Sequence, residues 1–177
     1  NATGRLIEDI PGTVFTAGDN VYPDGTTAAF NDCYADAWGS FKSRTLPVPG
    51  NHDYNTPGAA GYFAYFGAAA GKPGEGWYAT NVGAWRIYSL NSNCWAIGGC
   101  GAGSAEEQWL RADLAANPHA CVAAIWHHPR FSSGEHSSDP MTGALWQALY
   151  DANAELVLSG HDHDYERFAP MDPDGNA

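Results

Sequence analysis

The 177 residues suffice for one domain with its own core, and the composition (44% hydrophobic, 13% aromatic, 16% charged) is that of a globular protein. Twenty acidic against eight basic residues give a formal net charge of -12, which excludes nucleic acid and anionic membrane as partners, since both need a basic footprint. No apolar run has the length of a transmembrane span or the pattern of a signal peptide. An acidic protein that binds phosphate needs local positive charge, and bound metal ions would supply it.

Thr3 to Ile10 is expected to be the end of a helix, stopped at Pro11-Gly12. Thr13 to Ala17 is strand-like and runs into Gly18-Asp19-Asn20-Val21-Tyr22, followed by a turn at Pro23-Asp24-Gly25. Thr26 to Trp38 reads as helix. Thr45 to Pro49 is a brief extended stretch ending in Gly50-Asn51-His52-Asp53, and Ala59 to Phe66 is a small aromatic-rich helix. Trp77 to Thr80 and Ala84 to Leu90 alternate like paired strands about Asn81-Val82-Gly83, and their outward aromatic residues suggest a second sheet.

Cys94 and Cys100 flank a glycine-rich loop and are spaced to close a small disulfide ring; Cys33 and Cys121 complete the four cysteines. This pairing, the low lysine content and the abundant Trp and Tyr point to a secreted or periplasmic protein. No C-x-x-C pair is present, which argues against a thiolate zinc site. Ser104 with Glu107 three residues on is a capping-box start for a helix to about Ala116, stopped at Asn117-Pro118. Cys121 to Trp126 is an apolar strand that ends in His127-His128-Pro129. Thr142 to Ala152 is a helix with Leu145, Trp146 and Leu149 on one face. Glu155 to Ser159 is a short apolar run, expected to be a buried strand, and it delivers Gly160-His161-Asp162-His163. If the extended geometry persists past Ser159, His161 and His163 face the same way. Strands alternate with helices throughout, so the chain is an α/β domain.

Four strand-like runs thus end in side chains of metal-ligand type: Asp19 with Tyr22, Asn51 with His52, His127 with His128, and His161 with His163. Each alone has a plain explanation as an Asx-turn, a helix cap or a turn residue. Four at one kind of position point to a shared metal pocket. The set mixes carboxylate, amide oxygen, imidazole and phenol without thiolate, which suits Fe, Zn or Mn and disfavours Cu(I). It holds too many ligands for one tetrahedral ion, and two ions bridged by Asp19 would use them economically.

In order, these blocks resemble the signature blocks of calcineurin-like metallophosphoesterases. Tyr22 makes the likeness strongest to the purple acid phosphatase branch, and the stretches Trp126 to Glu135 and Gly160 to Phe168 resemble its secreted bacterial members. The likeness spans about Gly18 to Phe168, within a single domain covering 1–177. It implies a four-layer α/β/β/α sandwich and a site with two metal ions. Asp19 would bridge them. Tyr22 and His163 would bind one ion, and Asn51, His127 and His161 the other. His52 would contact phosphate and the leaving group. His136, in the loop after the His127 block, would aid substrate binding or leaving-group protonation. His128 is either an outer support or a turn residue, Asp53 a structural hydrogen-bonder, and Arg167 a surface arginine.

The resemblance also implies an aspartate at the end of a first strand. Before Gly18 the chain offers only Glu8 and Asp9, in a helix-like stretch. The chain, starting at Asn1 and stopping soon after His163, is therefore expected to be truncated at both ends, with the Tyr22/His163 position weakened and one ion retained. The implied reaction is hydrolysis of a small-molecule phosphate ester, with hydroxide held by the metals attacking phosphorus in line. A phosphodiesterase on the same scaffold, a metal- or phosphate-binding module without turnover, and a structural domain with incidental histidines are the alternatives. Hydrolysis lost on chelation supports the phosphatase and phosphodiesterase readings, bound metal without hydrolysis the binding module, and no bound metal the structural domain.

Overall fold

The computed structural model describes residues 2–118 and 121–177. The chain opens with α1 (Ala2–Glu8), as the sequence predicts, and then forms β1 (Val14–Phe15). β1 pairs in parallel with β2 (Thr45–Leu46), in register Val14 to Thr45. Between them lies a helical stretch. α2 (Thr27–Ala29) is capped by the Thr26 hydroxyl, which accepts from the Ala29 amide. The chain then winds through a π-helical turn at Phe30–Tyr34 into α3 (Ala35–Trp38). After β2 come α4 (Asn51–Tyr54) and α5 (Ala60–Phe66). Val21, Phe30, Tyr34, Tyr54, Tyr62, Phe63 and Phe66 bury one another in an aromatic core. Each such ring contributes on the order of 1.5–3 kcal/mol by leaving water.

The second core lies under the main sheet. β3 (Tyr78–Val82) and β4 (Trp85–Ser89) form an antiparallel hairpin, with Val82 opposite Trp85 and the turn at Gly83-Ala84. β5 (Cys121–Ile125) and β6 (Leu156–Leu158) follow in parallel, giving the order β3-β4-β5-β6. α6 (Ala105–Ala116) and α7 (Gly143–Asp151) are joined to this sheet through Leu110, Leu145, Ala148 and Leu149, which pack with Tyr88, Leu90, Val122, Ala124 and Trp126. The Ser104 cap forms as expected, its hydroxyl accepting from the Glu107 amide. The Cys94–Cys100 disulfide also forms.

The β3–β4 hairpin opens a second sheet, as expected; the first is the β1/β2 pair, and β5 and β6 extend the second. Alternation shows that a strand has two unlike faces, but which strands join that sheet depends on the ladder from Trp85 to Ser89 against Cys121 to Ile125. One expectation is corrected. The last strand is not buried. Among the described residues β6 has β5 as its one neighbour, and Leu156 is 42% exposed at this edge. Of the implied four layers, the β3–β6 sheet and its helices are fully formed, whereas the other β layer is the short β1/β2 pair.

Candidate metal centre

The C-terminal ends of β1, β2, β5 and β6, all strands in parallel pairs, lead into the four blocks. Loops at such strand ends are where α/β folds collect ligands. His127 lies two residues beyond β5 and is 1% exposed. Its Nδ1 is 2.7 Å from the Ala17 carbonyl oxygen. A carbonyl only accepts, so Nδ1 carries a proton, and when the ring is neutral its Nε2 presents a lone pair. Three further atoms crowd that lone pair: Asn51 Oδ1 at 3.0 Å, His161 Nδ1 at 3.2 Å and Asp19 Oδ2 at 3.3 Å.

Backbone approaches this close need glycine. At Gly18, φ is +88° and a Cβ would lie 2.3 Å from His127 Nδ1; at Gly50 it would lie 2.1 Å from Asp19 Oδ1. Asp19 itself takes a left-handed φ of 49°, and His161 takes 71°. Asp and His tolerate this region better than most residues, and such strain persists where surrounding contacts fix it. The turn at His161 corrects the expected extended geometry. His161 and His163 do not diverge from one strand face; a bent segment brings His161 to His127 and His163 to Tyr22.

Asp19 joins the two sides. Its Oδ1 accepts from the His52 amide at 2.9 Å, and its Oδ2 lies 3.1 Å from the Tyr22 hydroxyl and 3.3 Å from His127 Nε2. Burial raises the Asp19 pKa, but hydrogen bonding and charge from His127 and the His52 amide outweigh it and hold the carboxyl at about 2. Tyr22 and His163 sit on the open side, with Tyr22 51% exposed and its hydroxyl 3.3 Å from His163 Nε2. Burial and the adjacent Asp19 push the Tyr22 phenol up to about 12. It therefore stays protonated until a cation beside it stabilises the phenolate. Glu8 closes α1 and Asp9 follows it, both exposed.

His52 donates Nδ1–H to the Pro23 carbonyl at 2.7 Å and packs its ring 4.5 Å from that of Tyr22, leaving Nε2 unclaimed by this bond. The exposed His136 ring lies 4.3 Å from the His161 ring. Asp53 is wholly buried; its Oδ2 accepts from the Gly50 amide at 2.8 Å and from Asn20 Nδ2 at 2.9 Å. Burial raises its pKa to about 6 against those bonds. Arg167 is exposed.

Sequence reasoning missed the shelf beneath the histidines. Asn91, Ser92 and Asn93 follow β4 and are wholly buried. Ser92 Oγ accepts from the His127 amide at 3.2 Å and the His128 amide at 2.8 Å, so its own proton goes to His128 Nδ1, 2.8 Å away. Burial and the neighbouring His127 and His161 drive the His128 pKa down to about 3. Asn93 Nδ2 donates to the Pro49 carbonyl, and Glu106 Oε1 accepts from the Asn91 amide at 2.7 Å. The missed signal was the same rule again: β4 also ends in polar residues.

The donor set fits a cation. His127, His128 and His161 can each bring one nitrogen within 4.8 Å of the others. Neutral imidazoles, an amide oxygen and an ionised carboxylate around one lone pair repel one another unless a proton or a metal ion lies among them.

The family described as calcineurin-like phosphoesterase matches residues 1–165, and the chain belongs to it. Its relatives include purple acid phosphatases at low identity. Purple acid phosphatase 15 of Arabidopsis thaliana is 25% identical over 92% of this chain and 37% of its own length. An uncharacterized protein of Mycobacterium tuberculosis is 26% identical over 96% of this chain and 40% of its own length. The chain thus spans about 40% of the curated relatives it matches. Among solved structures, a purple acid phosphatase from yellow lupin superposes with a TM-score of 0.66 at 18% identity, over 90% of this chain and 32% of that one. GAP50, described as the anchor in the inner membrane complex of Plasmodium, superposes at 0.64 with 15% identity over 90% of this chain and 59% of that one. At these identities the likeness is one of fold.

Proposed function

We propose that this domain hydrolyses phosphoric esters, phosphomonoesters first, at a metal centre held by Asp19, Asn51, His127 and His161 with Tyr22 and His163 as the second position. The observation that supports it most is the convergence on His127 Nε2, whose proton-bearing partner nitrogen is fixed by the Ala17 carbonyl. Asp19 Oδ2, within 3.3 Å of both Tyr22 and His127 groups, suits a bridging carboxylate. Zn, Fe or Mn ions fit these ligands and, when bound, make water acidic and offset charge on the phosphoryl group.

The residues do the rest. The Ala17 contact holds the His127 ring in one orientation. His52, tethered through Nδ1, presents Nε2 to the leaving group. Once protonated there, it gives its proton to the departing alkoxide as the P–O bond breaks. His136 stands ready for the same task from the opposite loop. A binding module without turnover is the second reading; among the described residues Asp19 is the one carboxylate bonded to Tyr22, and GAP50 carries the fold under the description of an anchor.

The Cys94–Cys100 bond supports export to an oxidising compartment. No helix among the described residues is long and apolar enough to cross a membrane. The test is p-nitrophenyl phosphate hydrolysis with and without chelator, beside metal analysis. Hydrolysis that disappears on chelation and in His161→Ala supports the proposal; hydrolysis that survives both refutes it.

A further inference from the structure

Asp162 stands between two proposed ligands, yet its carboxylate turns away from them. His161, at φ 71°, reverses the local direction of the chain, and Asp162 meets the loop at 132–136 instead. Its Oδ1 accepts from the His136 amide at 2.7 Å, and its Oδ2 accepts from the Ser132 hydroxyl. Gly134 passes so close that a Cβ there would lie 2.6 Å from the Asp162 carboxyl carbon. Glu166 adds a second clasp, accepting from the Ser133 amide at 3.0 Å and from its hydroxyl. The loop's own bonds, Ser132 amide to Ser138 hydroxyl and Ser137 amide to Gly134 carbonyl, keep its shape but do not tie it to the site. The bonds to Asp162 do. They set the His136 ring 4.3 Å from that of His161, tilted by 33°.

We infer that Asp162 is a positioning residue: it latches the 132–136 loop to the 160–163 segment and so holds His136 at the metal centre. The H-x-H spacer therefore has a task distinct from that of the histidines beside it. This inference rests on the proposed hydrolysis for its kinetic consequence, though not for its structural one.

The kinetic test compares the metal-loaded full chain with Asp162→Ala, Asp162→Asn, His136→Ala and the double alanine variant. The substrate is an alkyl phosphate, whose leaving group needs a proton. Asp162→Ala and His136→Ala are each expected to lower kcat about tenfold or more with unchanged metal content, within the range of a displaced general acid. The double variant is expected to be no slower than His136→Ala, because the two act as one unit. Asp162→Asn, whose amide oxygen still accepts from the His136 amide, is expected to recover most of the rate. Losses that multiply in the double variant would overturn the latch, as would Asp162→Asn behaving like Asp162→Ala.

Hydrogen exchange separates failure of the latch from failure of the hydrolysis reading. The His136 amide is expected to exchange at least tenfold faster in Asp162→Ala than in the wild type, with or without metal. If the wild type hydrolyses no ester, the function proposal falls and exchange alone decides the latch. Unchanged exchange refutes it.

Discussion

The two sides of the proposed centre are built differently. On the inner side, His127 is enclosed, its Nδ1 is bonded to the Ala17 carbonyl, and the Asn91–Asn93 shelf carries its amide. On the outer side, Tyr22 and His163 are exposed; they meet each other, and Tyr22 also meets Asp19 and the His52 ring. Ligands whose orientation is fixed before binding lose less entropy when an ion arrives, and their supports typically contribute 10–100-fold in affinity. The inner position should therefore bind first and hold tightest, while the outer one depends on the charge already present.

This contrast can be broken by substitution. His127→Ala is expected to have the largest effect, abolishing tight metal binding and lowering hydrolysis roughly 10³-fold or more, since metal catalysis supplies several kcal/mol. Metal analysis beside kinetics checks it. Gly18→Ala is next. Its Cβ would collide with the His127 ring at a left-handed φ, so a stability loss of about 1–3 kcal/mol and a 10–100-fold weaker metal affinity are expected. Denaturant melts and metal titration report the two separately.

The shelf can be tested by pH. Burial raises Glu106 from 4.5 to about 8, against the opposing bond from the Asn91 amide. Between those values the folded chain binds more protons than the unfolded chain, so stability falls as pH rises through that window. The expected decline is about 2–4 kcal/mol, at 1.36 kcal/mol per pKa unit with allowance for relaxation. Glu106→Gln should flatten the decline, seen in urea midpoints at pH values near the two ends. The smallest effect is expected at Tyr22→Phe, about tenfold or less in hydrolysis, because the outer ion can keep Asp19 and His163. A Tyr22→Phe loss equal to that of His127→Ala would erase the distinction between the two sides.

Much of this was legible because strands end where apolar runs end. Asp19, Asn51, His127 and His161 all follow such runs, and a parallel pairing brings those ends together whatever the details of the turns. What escaped depends on distant partners. Ser92 meets His128 across 36 positions, and no local period marks that bond. The joining of β5 and β6 to the sheet that β3 and β4 open depends on the ladder to β4, and the exposure of β6 on the lack of a further neighbour among the described residues. The left-handed turn at His161 escaped because it follows from Gly160, packed against the Ala17 carbonyl, rather than from the histidine.

The most direct test is anomalous diffraction from crystals of the full chain loaded with less than one equivalent of Zn²⁺. A single peak among Asp19, Asn51, His127 and His161 is expected, with the Tyr22–His163 position filling only as the metal is raised. A first peak beside Tyr22 and His163, or no peak within reach of His127 Nε2, would contradict the inner-first centre.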